Sequence, residues 1–102
     1  MEFNQGSLDW FATINAEIVV SRELEGEAVI LNLESGVYFG LNGVGTRIWA
    51  LIQEHGSLRK VLEAMQMEYE VTPQELESDL LQLIDQLQAR GLVNLSPPGE
   101  RQ

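Results

Sequence analysis

The residue types that most often perform chemistry are sparse in this chain of 102 residues. It contains one histidine, His55, and no cysteine, so the usual ligands of a zinc site and the usual thiol nucleophile are missing. The serines stand where helix caps, turns and surface positions are expected, with no base beside them. Paired carboxylates such as Glu23/Glu25 and Glu68/Glu70 fall on faces that we expect to be solvated. The sequence therefore predicts no enzyme, with no catalytic residue, no metal site and no cofactor.

Three closely spaced glycines, Gly40, Gly43 and Gly45, suggest a phosphate-binding loop at first sight. The segment GLNGVG lacks the lysine of a P-loop, and a dinucleotide fingerprint requires a parallel βαβ unit. Here a short hairpin turn joins the strands instead. We interpret Gly40 and Gly43 as allowing a sharp corner between strand and helix, and Gly45 as allowing close packing.

The charge of the chain is strongly acidic, with 16 acidic and 6 basic residues and a net charge of −10. Nucleic-acid binders neutralise phosphates with lysine and arginine, so the charge argues against nucleic acid. It could attract a basic partner such as a lysine-bearing peptide, or serve solubility alone. No apolar run is long enough to span a membrane, and the acidic N-terminus lacks the basic region of a secretion signal. We expect a cytoplasmic protein.

Three segments are predicted as strands, at residues 16–20, 28–33 and 37–41. The second and third are joined by a hairpin in which Gly36 can adopt a positive φ. Because side chains alternate along a strand, Val37, Phe39 and Leu41 are predicted on one face and Tyr38 on the other. The third strand is short, apolar and uncharged. It could be an edge that accepts an added peptide strand, or a central strand with both sides paired.

Three helices are predicted after the strands. Asn42 caps the first, Ser57 caps the second, and Thr72-Pro73-Gln74-Glu75 is a capping box for a third that runs to about Arg90. A short apolar segment, 92–95, follows. The order indicates an α+β, winged-helix-like fold: a three-stranded antiparallel sheet followed by a three-helix bundle. We expect a partly disordered extension over 1–15, one domain over 16–95, and a disordered tail over 96–102.

The third predicted helix carries an apolar stripe and one leucine, Leu81, that falls outside it. The stripe consists of Leu76, Leu80, Leu83, Ile84 and Leu87. A leucine among acids can be an incidental surface residue, or it can line an apolar groove with an acidic rim. The acidic residues of this helix also argue against a role as a DNA recognition helix.

The segment LNLESGVYFGLNGVGTRIWALI resembles the signature of the PqqD-like family. The residues that match in register are Leu33, Gly36, Tyr38, Phe39, Leu41, Asn42, Gly45, Ile48 and Trp49. Downstream, residues 61–93 resemble the second and third helices of the family and its Arg-Gly-Leu-Val ending. The resemblance covers about residues 16–95. We interpret Leu41, Ile48 and Trp49 as structural.

The resemblance implies a RiPP recognition element that binds the leader region of a ribosomally made precursor by strand addition and delivers it to a leader peptidase or modifying enzyme. The form of the motif is similar to members of lasso-peptide pathways. Alternatives are a peptide chaperone for a radical-SAM enzyme in a pyrroloquinoline-quinone-like pathway, and a scaffold that binds only the enzymes. The predicted peptide-binding residues are Val37, Tyr38, Phe39, Gly40 and Leu41 on the strand, and Leu76, Glu77, Asp79, Leu80, Leu81, Ile84 and Asp85 on the third helix. Leu80 and Ile84 have a core position as their alternative.

Overall fold

A computed structural model describes residues 8–98 of the chain. Its elements are, in order, β1 (Phe11–Thr13), β2 (Val19–Leu24), β3 (Glu27–Asn32), β4 (Tyr38–Leu41), α1 (Gly43–His55), α2 (Leu58–Glu68), α3 (Pro73–Ala89) and β5 (Asn94–Ser96). Strands β2, β3 and β4 form a three-stranded antiparallel sheet in that order. The predicted α+β class, with a three-stranded antiparallel sheet and three helices, is confirmed.

The first strand of this sheet, β2, lies later in the chain than predicted. Residues 16–20 were expected to be extended, whereas β2 spans Val19–Leu24 and pairs with β3 up to Leu24 and Glu27. The reason is a two-residue turn at Glu25 and Gly26, both with positive φ (56° and 82°). Such a turn matches the twist of the flanking strands and pulls the polar segment SREL into the ladder. Polar residues are tolerated there because β2 is an exposed edge.

The helices begin where the sequence predicts them to begin. The Asn42 side chain accepts a hydrogen bond from the Gly45 amide at 2.8 Å, Ser57 caps α2 in the same way at 3.3 Å, and Thr72 caps α3 at 3.3 Å. These caps satisfy amides that have no partner within the helix. Each helix therefore starts at a defined residue, which places α1 directly after β4.

The core lies between the inner face of the sheet and the three helices. Its most deeply buried side chains come from every layer and include Ile30, Leu51, Leu58, Val61, Met65, Leu80, Ile84, Leu87 and Leu92. Leu41, Ile48 and Trp49 are buried as well, in agreement with a structural role. The Trp49 indole N–H donates to the Ser21 hydroxyl oxygen at 3.2 Å, so its polar group is satisfied near the sheet.

Residues 8–15 belong to the folded body rather than to a loose extension. Leu8 and Ala12 are buried, and β1 pairs antiparallel with β5. The Ala12 amide also donates to the Gly56 carbonyl at 2.8 Å. This pairing includes Ser96, where a disordered tail was predicted to start. Two three-residue strands about eighty positions apart carry no alternation pattern, so sequence periodicity does not detect them. The rest of the predicted extension and tail, residues 1–7 and 99–102, lies outside the described residues.

Within residues 8–98, no helix combines the length and the apolar character needed to cross a membrane.

Candidate functional site

Strand β4 lies at an edge of the three-stranded sheet. Among the described residues, no strand pairs with its outer side, so the alternative of a central strand is wrong. Phe39 and Leu41 share the inner face with their register partners Ile30 and Ala28, whereas Tyr38 is exposed on the opposite face. Val37 precedes the strand and is exposed, as is Gly40.

The backbone groups of β4 that face outward can be assigned from the ladder. The Asn32 amide donates to the Val37 carbonyl at 2.8 Å, and hydrogen-bonded pairs alternate along an antiparallel ladder. In this register Phe39 is therefore hydrogen-bonded to β3, whereas the N–H and C=O groups of Tyr38 and Gly40 point to the outer side. A strand added at this edge would bond to Tyr38 and Gly40.

A cavity of about 480 Å³ lies next to this edge, between β4, the start of α1 and one face of α3. Its strand and α1 sides are lined by Phe39, Gly40, Leu41, Asn42, Val44, Gly45 and Ile48, and its α3 side by Asp79, Gln82, Leu83 and Gln86. Apolar and polar groups are mixed along the wall. We call this cavity the groove.

The α3 wall of the groove differs from the predicted one. Four predicted wall residues are at most 8% exposed, belong to the core and do not line the groove: Leu76, Leu80, Leu81 and Ile84. For Leu80 and Ile84 this is the core position given as their alternative, whereas Leu76 and Leu81 were assigned to the wall without one. At about 100° per residue, the buried arc of α3 extends from Leu83 through Leu76 to Leu81 and is about 160° wide. Leu81 therefore marks the far limit of this buried arc.

The groove faces the opposite limit of that arc. Asp79, Gln82, Leu83 and Gln86 recur at i, i+3, i+4 and i+7, which places them on one face of the helix. Leu83 was interpreted as part of the core stripe, yet it is half-buried and lines the groove. Of the predicted acidic residues, Asp79 lines the groove, whereas Glu77 and Asp85 do not. The i, i+3, i+4, i+7 spacing of these four residues was visible in the sequence.

Two buried polar side chains hold the walls of the groove in place. The Thr46 hydroxyl accepts from the Ala28 amide at 2.8 Å and donates to the Leu41 carbonyl at 3.3 Å. Ala28 and Leu41 are register partners, so a side chain from α1 closes the last rung of the β3–β4 ladder. Asn32 acts at the other end of the ladder, where its amide donates to the carbonyls of Arg90 and Gly91.

A cation lies at the mouth of the groove. The Arg90 guanidinium carbon is 4.6 Å from the centroid of the Phe39 ring, which is cation–π distance. Its Nη1 also donates to the Gln86 carbonyl at 3.4 Å. Phe39 and Gln86 both line the groove, and Gln86 is the last residue of its α3 wall, so Arg90 lies beside that end of the groove.

The groups that could carry other chemistry are dispersed. Among residues 8–98, no cluster of three histidine or acidic side chains is arranged to hold a metal ion. His55 lies at the end of α1 beside a second cleft of about 430 Å³ that β1 and the following loop help to line. The carboxylate of Glu68 has its pKa lowered by hydrogen bonding to Arg47, but this pair joins α1 to α2 outside the groove.

A second surface with binding character is the outer face of the sheet. Register pairs place side chains of neighbouring strands side by side: Val20 with Leu31, and Leu31 with Tyr38. Large apolar side chains exposed here include Val20, Leu24, Val29, Leu33 and Tyr38. We call this set, together with half-buried Leu31, the outer sheet patch. Arg22 lies on the same face, beside Val29. A largely apolar exposed face of this kind is typical of an interaction surface.

Comparisons with known proteins agree with this geometry. The model of a family described as coenzyme PQQ synthesis protein D (PqqD) matches residues 27–93. The solved structure of TbiB1 in complex with the TbiA(beta) leader peptide is 36% identical, with a TM-score of 0.74 over 79% of this chain and 93% of that one. Lasso peptide synthetase B1 complexed with the leader peptide is 22% identical and shares the fold, with a TM-score of 0.70 over 84% and 98% of the two chains. No curated protein matches the chain.

Proposed function

We propose that this chain, which belongs to the PqqD family, is a non-catalytic domain that binds the leader region of a ribosomally synthesised precursor in lasso-peptide biosynthesis. The observation that carries the proposal is the exposed edge of β4 beside the groove. The solved structure of TbiB1, 36% identical and covered over 93% of its length, is a complex with a leader peptide.

The geometry supports strand addition as the binding mode. An extended leader segment would accept from and donate to the backbone of Tyr38 and Gly40, which gives affinity independent of sequence. Every second side chain of the segment would point into the groove, between Phe39 and Leu83. The apolar wall favours apolar anchors, and the groove side chains therefore supply the specificity.

The same arrangement bears on the alternatives. The winged-helix-like description that we propose refers to the shape of the fold and does not extend to DNA binding. Helix α3 carries four acidic residues and would be repelled by phosphates: Glu75, Glu77, Asp79 and Asp85. A peptide chaperone for a radical-SAM enzyme would use the same groove with a different precursor. A scaffold that binds only enzymes would leave the groove without a function.

The test is binding of a fluorescently labelled leader peptide, taken from the precursor encoded beside this chain, measured by fluorescence polarisation. Gly40→Pro removes an amide that faces the outer side, where proline is tolerated in an edge strand. Gly40→Ala is the matched control: a Cβ at this position meets nothing within 4 Å and the amide is kept. We expect saturable binding, weakened at least about tenfold by Gly40→Pro and little changed by Gly40→Ala.

Equal affinity of the two variants would contradict strand addition at this edge, whereas no binding to folded wild-type protein would contradict leader recognition. Phe39→Pro is a poor test, because the Phe39 amide faces β3 and its loss would damage the sheet itself.

We also propose that the outer sheet patch docks the leader peptidase or other processing enzyme. The patch includes Tyr38, whose backbone would pair with the added leader, so an enzyme docked there would contact the domain and lie next to its bound peptide. Its surroundings are mainly acidic, with Glu17, Glu25, Glu27 and Glu34 exposed, although Arg22, the register partner of Val29, lies on the same face. The partner surface is therefore expected to be apolar with a basic rim; two copies of this acidic patch would repel each other.

Delivery can be tested with the leader peptidase encoded beside the precursor. Val29 lies in the middle of the patch and is 51% exposed, whereas Met67 on α2 is 90% exposed and lies outside it. We expect Val29→Glu to abolish peptidase binding in calorimetry while leader affinity is kept, and Met67→Glu to change neither. Equal loss with both variants, or none with Val29→Glu, would contradict docking at the patch.

A further inference from the structure

Among residues 8–98, two arginines, Arg22 and Arg90, have no carboxylate within 4 Å. Arg22 lies on β2 beside Val29 and does not line the groove, whereas Arg90 contacts two residues that do. Arg47 is paired with Glu68 at 2.6 Å and Arg59 with Asp9 at 3.0 Å. No carboxylate among residues 8–98 lies within 4 Å of the Arg90 guanidinium, which stacks on Phe39 instead. In a chain of net charge −10, this leaves a cation without an internal counter-charge at one end of the groove.

The stacked position leaves Arg90 able to bind an anion. Stacking uses the flat face of the guanidinium, whereas its N–H donors lie along its edge in a fork that matches a carboxylate. One of these donors is directed to the Gln86 carbonyl, and this contact with Phe39 and Gln86 orients the group before any ligand arrives. A pre-oriented fork loses less side-chain freedom on binding.

The opposite charge lies at the other end of the groove. Asp79 is exposed and lines the cavity together with the residues at the end of β4 and the start of α1. Asp79 on α3 and Arg90, the C-cap of that helix, are eleven positions apart, which corresponds to about 16 Å along the helix axis between their Cα atoms. An extended peptide covers that distance in about five residues.

We infer that Arg90 and Asp79 select oppositely charged side chains of the leader at the two ends of the groove. The preferred segment carries an acidic side chain opposite Arg90 and a basic side chain opposite Asp79, about five residues apart. Because β4 starts beside Arg90 and ends toward Asp79, the two charges also fix the direction in which the added strand lies. The inference rests on the proposed function and names a sequence requirement of the same site.

The test is a charge scan of the labelled leader of the neighbouring precursor. Each leader position is replaced singly by glutamate and by lysine, and every peptide is titrated against wild type, Arg90→Glu, Asp79→Lys and Asp85→Lys. The acidic protein disfavours glutamate everywhere, so the preference at each position is read relative to the mean over all positions. Asp85 is exposed on α3 but does not line the groove, which makes Asp85→Lys the matched control.

We expect one position that prefers glutamate and one, four to six residues away, that prefers lysine, each by roughly tenfold. Arg90→Glu reverses the first preference only, Asp79→Lys the second only, and Asp85→Lys neither. Preferences that do not move with these substitutions, or that lie at another spacing, overturn the inference while leaving leader binding intact. Failure of every protein to bind the unsubstituted leader overturns the proposed function itself, and this inference with it.

Discussion

The Asn32 side-chain amide donates a hydrogen bond to the Gly91 carbonyl at 3.2 Å. Its oxygen accepts from the amides of Glu34 and Ser35 at 2.9 and 3.1 Å. Asn32 is 5% exposed, so these bonds satisfy a polar group that would be costly to bury alone. One side chain thereby joins the β3–β4 hairpin to the end of α3, and the two walls of the groove are held at a fixed spacing.

The contact predicts that replacing Gly91 destabilises the fold. Its φ is +71°, and a Cβ there would lie 2.9 Å from the Asn32 amide nitrogen. We expect Gly91→Ala to lower the free energy of unfolding by about 1–3 kcal/mol and to weaken leader binding, as measured by urea unfolding and fluorescence polarisation.

Gly26→Ala is the control for that substitution. Gly26 has a similar φ of +82°, but a Cβ there meets nothing within 4 Å. The change in unfolded-chain entropy is the same at both positions, so the difference in unfolding free energy isolates the contact with Asn32. Equal destabilisation by the two alanines would show that the backbone conformation alone requires glycine at 91.

Local signals in the sequence predict much of this fold, but they do not predict which side of α3 faces the groove. Caps at Asn42, Ser57 and Thr72 depend on neighbouring residues, so they are visible in the sequence and they locate the helix starts. Which arc of α3 faces the groove depends on how the helix packs against α2 and the sheet. The apolar arc that runs from Leu83 to Leu81 fits the sequence pattern equally well with the groove at either limit, and only the packing places Leu83 rather than Leu81 at the groove.

Substitution of Leu80 and of Leu83 is expected to have different effects on stability and on leader binding. Leu80 is fully buried, so Leu80→Ala should lower the free energy of unfolding by about 2–5 kcal/mol. Leu83 is half-buried at the groove, so Leu83→Ala should cost less stability but weaken leader binding more. Urea unfolding and peptide titration of both variants measure the two effects, and loss of leader affinity in proportion to stability at both positions would contradict the assignment of Leu83 to the groove wall.

The last rung of the β3–β4 ladder is expected to depend on the Thr46 hydroxyl. Thr46→Val keeps the shape but leaves the Ala28 amide and the Leu41 carbonyl, both in a buried environment, without this partner. We expect a loss of about 1–3 kcal/mol in unfolding free energy, whereas Thr46→Ser keeps the hydroxyl and should cost less. Hydrogen exchange at the Ala28 amide should accelerate in the valine variant only; unchanged protection there would show that the hydroxyl is dispensable.

The ion pair between Arg47 and Glu68 predicts a small loss of stability in acid. Hydrogen bonding to Arg47 lowers the pKa of Glu68 in the folded protein, from an ordinary value of 4.5. A carboxylate with a lowered pKa contributes stability above its unfolded value, and this contribution is lost as the pH falls through the folded value. Both side chains are at least one-third exposed, so the pair should contribute less than about 1 kcal/mol.

Thermal unfolding of wild type and Glu68→Gln measures this contribution. The variant should melt a few degrees lower at pH 7, and the difference should shrink as the pH falls below 4.5 and through the lowered pKa of folded Glu68, where the wild-type side chain becomes protonated as well. Glu63→Gln is the control, since Glu63 is exposed on the same helix and no arginine or lysine among the described residues lies within 4 Å of its carboxylate. A Glu68→Gln difference that persists unchanged at low pH would mean that the side chain stabilises α2 by packing rather than by charge.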